Sequence, residues 1–273
     1  SYDFRVSATY NKTFAGKHIV NLYGGMSVNK IDRHNTWFRG WGLQYSNGME
    51  PYYDYLAFKQ GTENLSNYYT IGDTFYREVA FFFNGTYSYK GRYTINGTYR
   101  YEGTNKMGRS RRARWLPTWN ISGAWNVHEE SFFDKIRPAM SHLSLKASYS
   151  LTADRGPSYV TNSLAVIESV TPWRPTSGDG EPALKVSNLE NAQLTYEKKH
   201  ELNLGLDAGF VNNRINLAFD WYKRNNFDLI GIVTTQGIGG EVSKYGNVAE
   251  MKSNGVEISL STKNIQTKNF SWT

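Results

Sequence analysis

Residues 201–222 read ELNLGLDAGFVNNRINLAFDWY. Leu202, Leu204, Leu206, Ala208 and Phe210 alternate with Asn203, Gly205, Asp207 and Gly209. After Asn212-Asn213, Ile215, Leu217, Phe219 and Trp221 alternate with Asn216, Ala218 and Asp220. A period of two puts one set on each face of a strand, so the stretch predicts two antiparallel strands joined by a tight turn, apolar on one face and polar on the other. The pattern recurs outward. Leu143, Leu145, Ala147, Tyr149 and Leu151 alternate with Ser144, Lys146, Ser148 and Ser150, and Val256, Ile258 and Leu260 alternate with Glu257, Ser259 and Ser261. No comparable helical stripe appears; the one short helical candidate is Glu129 to Ile136.

Composition agrees. Of 273 residues 39% are hydrophobic, 20% charged and 15% aromatic, with a formal net charge of +7. So many aromatics at so modest a charge argue against disorder, and the abundance of Tyr, Asn, Gly and Thr argues against helical bundles. Cysteine is absent, which excludes disulfides, thiolate metal sites and cysteine nucleophiles. No run of 18 apolar residues offers a transmembrane helix. Ser1-Tyr2-Asp3-Phe4 reads as the start of a strand rather than a signal peptide, so a mature chain or a piece of one is expected.

Strand length then selects the architecture. The stretches 76–89, 92–103, 115–127, 142–153, 198–211 and 214–225 all reach the roughly 9–11 residues that cross a membrane as a tilted strand, against about 5–6 for an ordinary strand. Short links at 11–17, Lys90-Gly91, 129–141, Asn212-Asn213 and 264–268 alternate with long ones at 32–75, 104–114, 154–197 and 226–253. A transmembrane barrel meander does this, with short periplasmic turns and longer extracellular loops; a soluble sandwich usually has short turns at both ends. About ten strands are expected, the last beginning at Asn269. Since an unpaired edge in lipid is costly, further strands are expected from sequence elsewhere or from another chain.

The hairpin at Lys90-Gly91 gives a second test. Tyr93, Ile95, Gly97, Tyr99 and Tyr101 share a face, with tyrosines at both ends. Eight residues at about 3.3 Å each, tilted by about 40°, span roughly 20 Å, near the height of an apolar band between aromatic girdles. The opposite face carries Arg92, Thr94, Asn96, Thr98, Arg100 and Glu102, which suits a wet lumen.

Several longer motifs carry a family likeness. The run from Arg114-Trp115-Leu116-Pro117 through Trp125-Asn126-Val127-His128-Glu129-Glu130-Ser131-Phe132-Phe133 resembles a segment of the SusC/RagA group of TonB-dependent outer-membrane transporters. Leu194-Thr195-Tyr196-Glu197, Leu204-Gly205-Leu206-Asp207 and Asp220-Trp221-Tyr222 look like its downstream region, and Gly246-Asn247-Val248 with Asn254-Gly255-Val256-Glu257-Ile258 is similar to a later strand start. The matches are ordered and cover about residues 76–265. The resemblance implies an all-β, antiparallel up-and-down transmembrane barrel of 22 strands, of which residues 1–273 are one part, the plug domain and C-terminal strands lying outside this chain. It also implies an outer-membrane location, TonB as energy source through that plug, a SusD-like surface lipoprotein as lid, and import of oligosaccharides or peptides. Two rivals stay open: an outer-membrane structural or assembly component with the same barrel, and a soluble carbohydrate-binding β-domain.

No enzyme chemistry is indicated. The five histidines lack the paired spacing of a helical zinc site. Gly237-Ile238-Gly239-Gly240 opens no helix that could cradle phosphate, and Asp179-Gly180-Glu181 lacks the spaced oxygen set of a calcium loop. Glu129 and Glu130 are adjacent, hence point apart, and are expected to be solvated. No cofactor, metal or nucleic-acid partner is called for. Two loop features remain. Arg109, Arg111, Arg112 and Arg114 form a basic cluster suited to lipopolysaccharide phosphates or a lid protein. Trp37, Trp41, Tyr45, Tyr52 and Tyr53 are candidate ligand contacts, because rings offer much contact area at small conformational cost.

Overall fold

The computed structural model describes residues 1–39, 43–44, 50–51, 55–63, 69–156, 165–170, 183–237, 242–266 and 270–272. Nine long strands form one sheet in the order of the chain: β1 (Tyr2–Phe14), β2 (His18–Phe38), β3 (Tyr69–Tyr89), β4 (Tyr93–Thr104), β5 (Trp115–Asn126), β6 (Met140–Asp154), β7 (Glu197–Phe210), β8 (Ile215–Thr234) and β9 (Ser243–Thr262). This is the expected up-and-down meander. Its ends differ from the expectation. β2 and β3 run into the predicted loop 32–75, and β8 and β9 consume most of 226–253, leaving a link at 235–242. Link 154–197 holds a small hairpin, Val166–Val170 with Ala183–Asn188. The predicted tenth strand is replaced by a two-residue pairing of Ser271–Trp272 with Ile265–Gln266, separate from the main sheet. The helical candidate at 129–136 folds as two 3₁₀ turns, Val127–Glu129 and Ser131–Lys135.

Two compact units divide the chain: Ser1–Asp3 with Asn29–Arg77, and Phe4–Val28 with Glu78–Thr273. The first contains the nine-residue helix Tyr55–Glu63 and the ion pairs of Asp32 with Arg77 (2.6 Å) and Lys30 (3.6 Å). The second carries most of the sheet.

Short turns close one end. Lys90 (φ +53°) and Gly91 (φ +68°) are paired left-handed residues in the three-residue link 90–92, which the Arg92 N–H closes by donating to the Tyr89 carbonyl (2.9 Å). Val211, Asn212 and Asn213 are also left-handed, a conformation that asparagine tolerates and valine rarely adopts.

The register assigns the faces. Tyr93, Trp125, Leu145, Leu206, Phe219 and Ile258 stand in one row across β4–β9. The next row, Thr94, Ala124, Lys146, Gly205, Asp220 and Glu257, lies on the other face. The apolar face is bare: Ile121 is 59% exposed and Ile258 66%. A water-soluble monomer rarely leaves so wide an apolar surface open; a lipid-facing wall must. Stacked rings border it, Tyr93 on Trp125 (6.2 Å) at one end and Tyr101 on Trp115 (5.0 Å) at the other. Gly103 makes the second stack possible, since a Cβ there would lie 2.6 Å from the Trp115 ring. No described helix is long and apolar enough to cross a membrane, which leaves crossing by strands untouched.

Candidate functional site: lumenal wall and outer rim

The polar face is the barrel's inner wall. Its charges are mostly paired: Glu201 lies between Lys199 (2.9 Å) and Arg224 (3.1 Å), Glu78 pairs with Arg100 (3.1 Å), and Lys146 pairs with Asp207. Hydroxyls and amides fill the gaps, as where Asn96 donates to Thr86 (2.6 Å). Small residues keep the wall smooth. A Cβ on Gly205 would lie 2.7 Å from the Asp220 carboxylate, and one on Gly255 2.5 Å from the Tyr222 hydroxyl.

One place on this wall departs from plain polarity. Phe82 breaks the alternation of Phe81-Phe82-Phe83 by pointing inward. Arg5 lies 4.8 Å over its ring and donates to the Tyr23 hydroxyl (3.0 Å). With Asn84, Thr98, Arg100, Asn120 and Thr152 they line a groove of about 340 Å³. The period-two pattern alone did not reveal it, although three consecutive phenylalanines on a two-faced strand require one to face the polar side.

The long-link end is welded into a rim. Gly108 N–H donates to the Leu194 carbonyl (2.8 Å), Thr195 Oγ1 to the Ala113 carbonyl (3.2 Å), and Asn191 Nδ2 to the Tyr245 carbonyl (2.7 Å). Asn247 accepts from Thr195 N–H (2.9 Å) and donates to the carbonyls of Thr195 (2.8 Å) and Asp228 (2.7 Å). Beneath these bonds Met107, Leu116 and Tyr196 form a buried cluster. Two separated motifs, Leu194-Thr195-Tyr196-Glu197 and Gly246-Asn247-Val248, thus meet.

The basic cluster belongs to this rim but is not one patch. Ser110 caps the short helix Arg111–Arg114. Arg109 approaches Glu190 at 3.8 Å, Arg111 and Arg112 are exposed, and Arg114 is half-buried, its carbonyl near the Tyr196 hydroxyl (3.5 Å). Of the candidate ligand rings, Trp37 lies near the end of β2, 47% exposed, with Arg39 5.2 Å above it. Trp41, Tyr45, Tyr52 and Tyr53 lie outside the described residues, as do Asp179-Gly180-Glu181 and Ile238–Gly240.

At the short-turn end the expectation for Glu130 is overturned. Its carboxylate receives the Tyr93 hydroxyl (2.5 Å), Arg92 (3.1 Å) and the Trp125 indole N–H (3.4 Å), and its side chain is only 12% exposed. The Tyr93 hydrogen bond, more than any other contact, holds the Glu130 pKa below the ordinary carboxylate value. The Trp125 bond and the Arg92 and Lys90 charges add to it, and partial burial opposes them. Adjacency did not leave the pair equivalent, because the 3₁₀ turn aims Glu130 at the stacked Tyr93–Trp125 rings and leaves Glu129 exposed.

The family profile described as "TonB dependent receptor-like, beta-barrel" matches residues 1–273. The chain belongs to this family. It is 29% identical over 265 residues to TonB-dependent receptor P3 of Formosa agariphila, covering 97% of this chain and 25% of that protein. It is 28% identical over 197 residues to TonB-dependent receptor SusC of Bacteroides thetaiotaomicron, covering 71% and 19%. A solved structure of the RagAB peptide importer in the "open-open" state superposes with a TM-score of 0.79 at 22% identity, over 98% of this chain and 28% of that one. The chain thus spans about a quarter of the length of these relatives. Membership makes it part of a TonB-dependent receptor β-barrel of the outer membrane, in a family of receptors rather than enzymes, and sets aside the soluble β-domain. The apolar face therefore meets lipid and the polar face the lumen.

Proposed function

We propose that the full-length protein imports oligosaccharides or peptides across the outer membrane. Residues 1–273 form one stretch of its barrel wall, and the plug and remaining strands are supplied by sequence outside this stretch. In this reading a SusD-like surface lipoprotein sits over the long-link end and TonB acts through the plug. The observation that supports it is the sharply two-faced wall ending in a welded rim: a charge-paired, hydroxyl-rich surface gives a solute a wet path without a single dominant trap, and the rim offers a fixed seat for a lid. Trp37, Trp41, Tyr45, Tyr52 and Tyr53 are proposed as ligand contacts near the mouth, and Arg109, Arg111 and Arg112 as contacts to the lid.

The test is uptake in cells of the native host with the full-length gene deleted and restored. Restored uptake of labelled glycans or peptides, abolished when TonB is depleted, supports import and identifies the cargo. Loss of barrier integrity with no change in any solute's uptake would favour the assembly component instead. Alanine at Trp41 and Tyr53 separates ligand from lid contact: unchanged ligand affinity in calorimetry with weakened lipoprotein association would remove the ligand role.

A further inference from the structure

On the lipid-facing side of β8 the apolar series Ile215, Leu217, Phe219, Trp221 gives way to Lys223 and Asn225. Lys223 stands opposite Asn254 and Asn225 opposite Lys252 on β9, so all four share that face. His200 on β7 stands opposite Asn225 on the other side. Eight residues at about 3.3 Å, tilted by about 40°, raise Lys223 roughly 20 Å above the turn end, and Asn225 and Lys252 roughly 25 Å, which is the upper edge of a band about 25 Å tall. In bacterial barrels the long-loop end faces outward, so this edge meets the headgroups of the outer leaflet.

The two lysines are diagonal cross-strand neighbours, about 7–8 Å apart between Cα atoms. Like charges so placed on a lipid-facing wall repel unless an anion lies between them. Lys223 makes no ion pair or hydrogen bond with any described residue. Lys252 has only Glu250 (3.2 Å), an exposed pair of small energetic weight. A third cation on the face, Lys198, is already held by Asp228 (2.6 Å). Next to the lysines, Asn225 Oδ1 and His200 Nδ1 are buried and make no hydrogen bond with any described residue. Beside them Tyr149, His200 and Phe227 form a ring stack, at 5.3–5.6 Å between successive centroids, and Trp119 meets Tyr149 edge-on at 5.4 Å; this is the level at which aromatic side chains collect in barrels.

We propose that Lys223 and Lys252 bracket a phosphate on the headgroup of an outer-leaflet glycolipid, with Asn225 and Asn254 as neighbouring amide groups and the ring stack as support for the sugar. This assigns lipid phosphate to the barrel's outer wall rather than to the arginines of the rim, and it is independent of the cargo.

The test uses the full-length protein purified in detergent, titrated with bisphosphorylated lipid A, with the same lipid enzymatically dephosphorylated, and with inorganic phosphate, binding being read by native mass spectrometry and thermal shift. Near a membrane surface each lysine is worth about a fivefold change in affinity. Lys223→Gln with Lys252→Gln should therefore weaken lipid A binding about 25-fold, whereas Lys223→Arg with Lys252→Arg, which keeps both charges, should retain it and show that the site still folds. Removing the phosphates should weaken binding to wild type comparably. Equal binding by the wild type and the glutamine variant would overturn the proposal, as would equal binding of the two lipids. So would a full response to inorganic phosphate alone, or a loss confined to Arg111→Ala with Arg112→Ala.

Discussion

The side-chain amide of Asn247 pairs with the backbone of Thr195 in both directions, accepting its N–H at 2.9 Å and donating to its carbonyl at 2.8 Å. Asparagine is thereby used as one more residue of a β-ladder, tying the strand start of β7 to the top of β9. Its other amide hydrogen reaches the carbonyl of Asp228 (2.7 Å), itself a left-handed residue at the point where the β8–β9 register shifts. Removing the amide leaves three backbone groups to find new partners. Asn247→Ala should cost about 1–3 kcal/mol of stability. Asn247→Asp should cost at least as much, because a carboxylate would face two carbonyl oxygens. The midpoint of heat-induced mobility change of the full-length protein on gels reads both; no change in Asn247→Ala would remove Asn247 as the tie.

Gly108 tests the same rim from the other side. A Cβ there would lie 2.3 Å from the Ala192 carbonyl and 2.9 Å from that of Leu194. Both are backbone atoms, so the two links must move apart. Gly108→Ala should open the rim to protease between residues 105 and 114, while Gly97→Ala, with open space around it, leaves the cleavage rate unchanged.

The alternation from Leu143 to Leu260 makes the sheet, its two faces and its short turns legible in the residues alone. What escapes that pattern is governed by other forces. The apolar period predicts an end to β8 near Asn225, because it stops at Trp221. The strand continues to Thr234 because its hydrogen bonds with β9 need no apolar face once clear of lipid. Glu130 looks like its neighbour Glu129 in the chain, since adjacency carries no record of Arg92 from the β3–β4 turn, Tyr93 from β4 and Trp125 from β5 converging on it. Asn247 and Thr195 are 52 residues apart, and no local pattern reports such a pairing.

Glu130 gives a pH signature. Its folded pKa lies below the unfolded value, so its stabilising contribution is complete above the unfolded carboxylate pKa and is lost as pH falls through the depressed folded value. Wild type should thus exceed Glu130→Gln in thermal midpoint at neutral pH, and the gap should close on acidification. A gap independent of pH would assign the effect to lost shape rather than charge.

Sidedness follows from link length. Single cysteines at Arg111 and at Asn212, in a chain naturally free of cysteine, should differ in intact cells: an impermeant maleimide should label the first and spare the second until the outer membrane is opened. The reverse order would invert the barrel.

The two faces make the sharpest energetic contrast. Leu204 stands in a row with Ala147 and Trp221 on the lipid side, and Asn203 with Ser148 and Tyr222 on the lumenal side. Both lie on β7, one residue apart, so strand propensity and distance from the turns are nearly equal. An arginine at Leu204 must hold its charge against hydrocarbon, at a cost of about 2–4 kcal/mol near the midplane. At Asn203 it enters an open groove already lined by Lys146 and Asp220, where solvent and the nearby carboxylate offset the charge. Unfolding of the full-length protein in lipid vesicles by guanidinium should therefore show a large loss for Leu204→Arg and a change within about 0.5 kcal/mol for Asn203→Arg, the usual range for substitutions that create no buried charge. Equal losses would mean that both faces are sheltered from lipid, and the assignment of the apolar face to the membrane would fall.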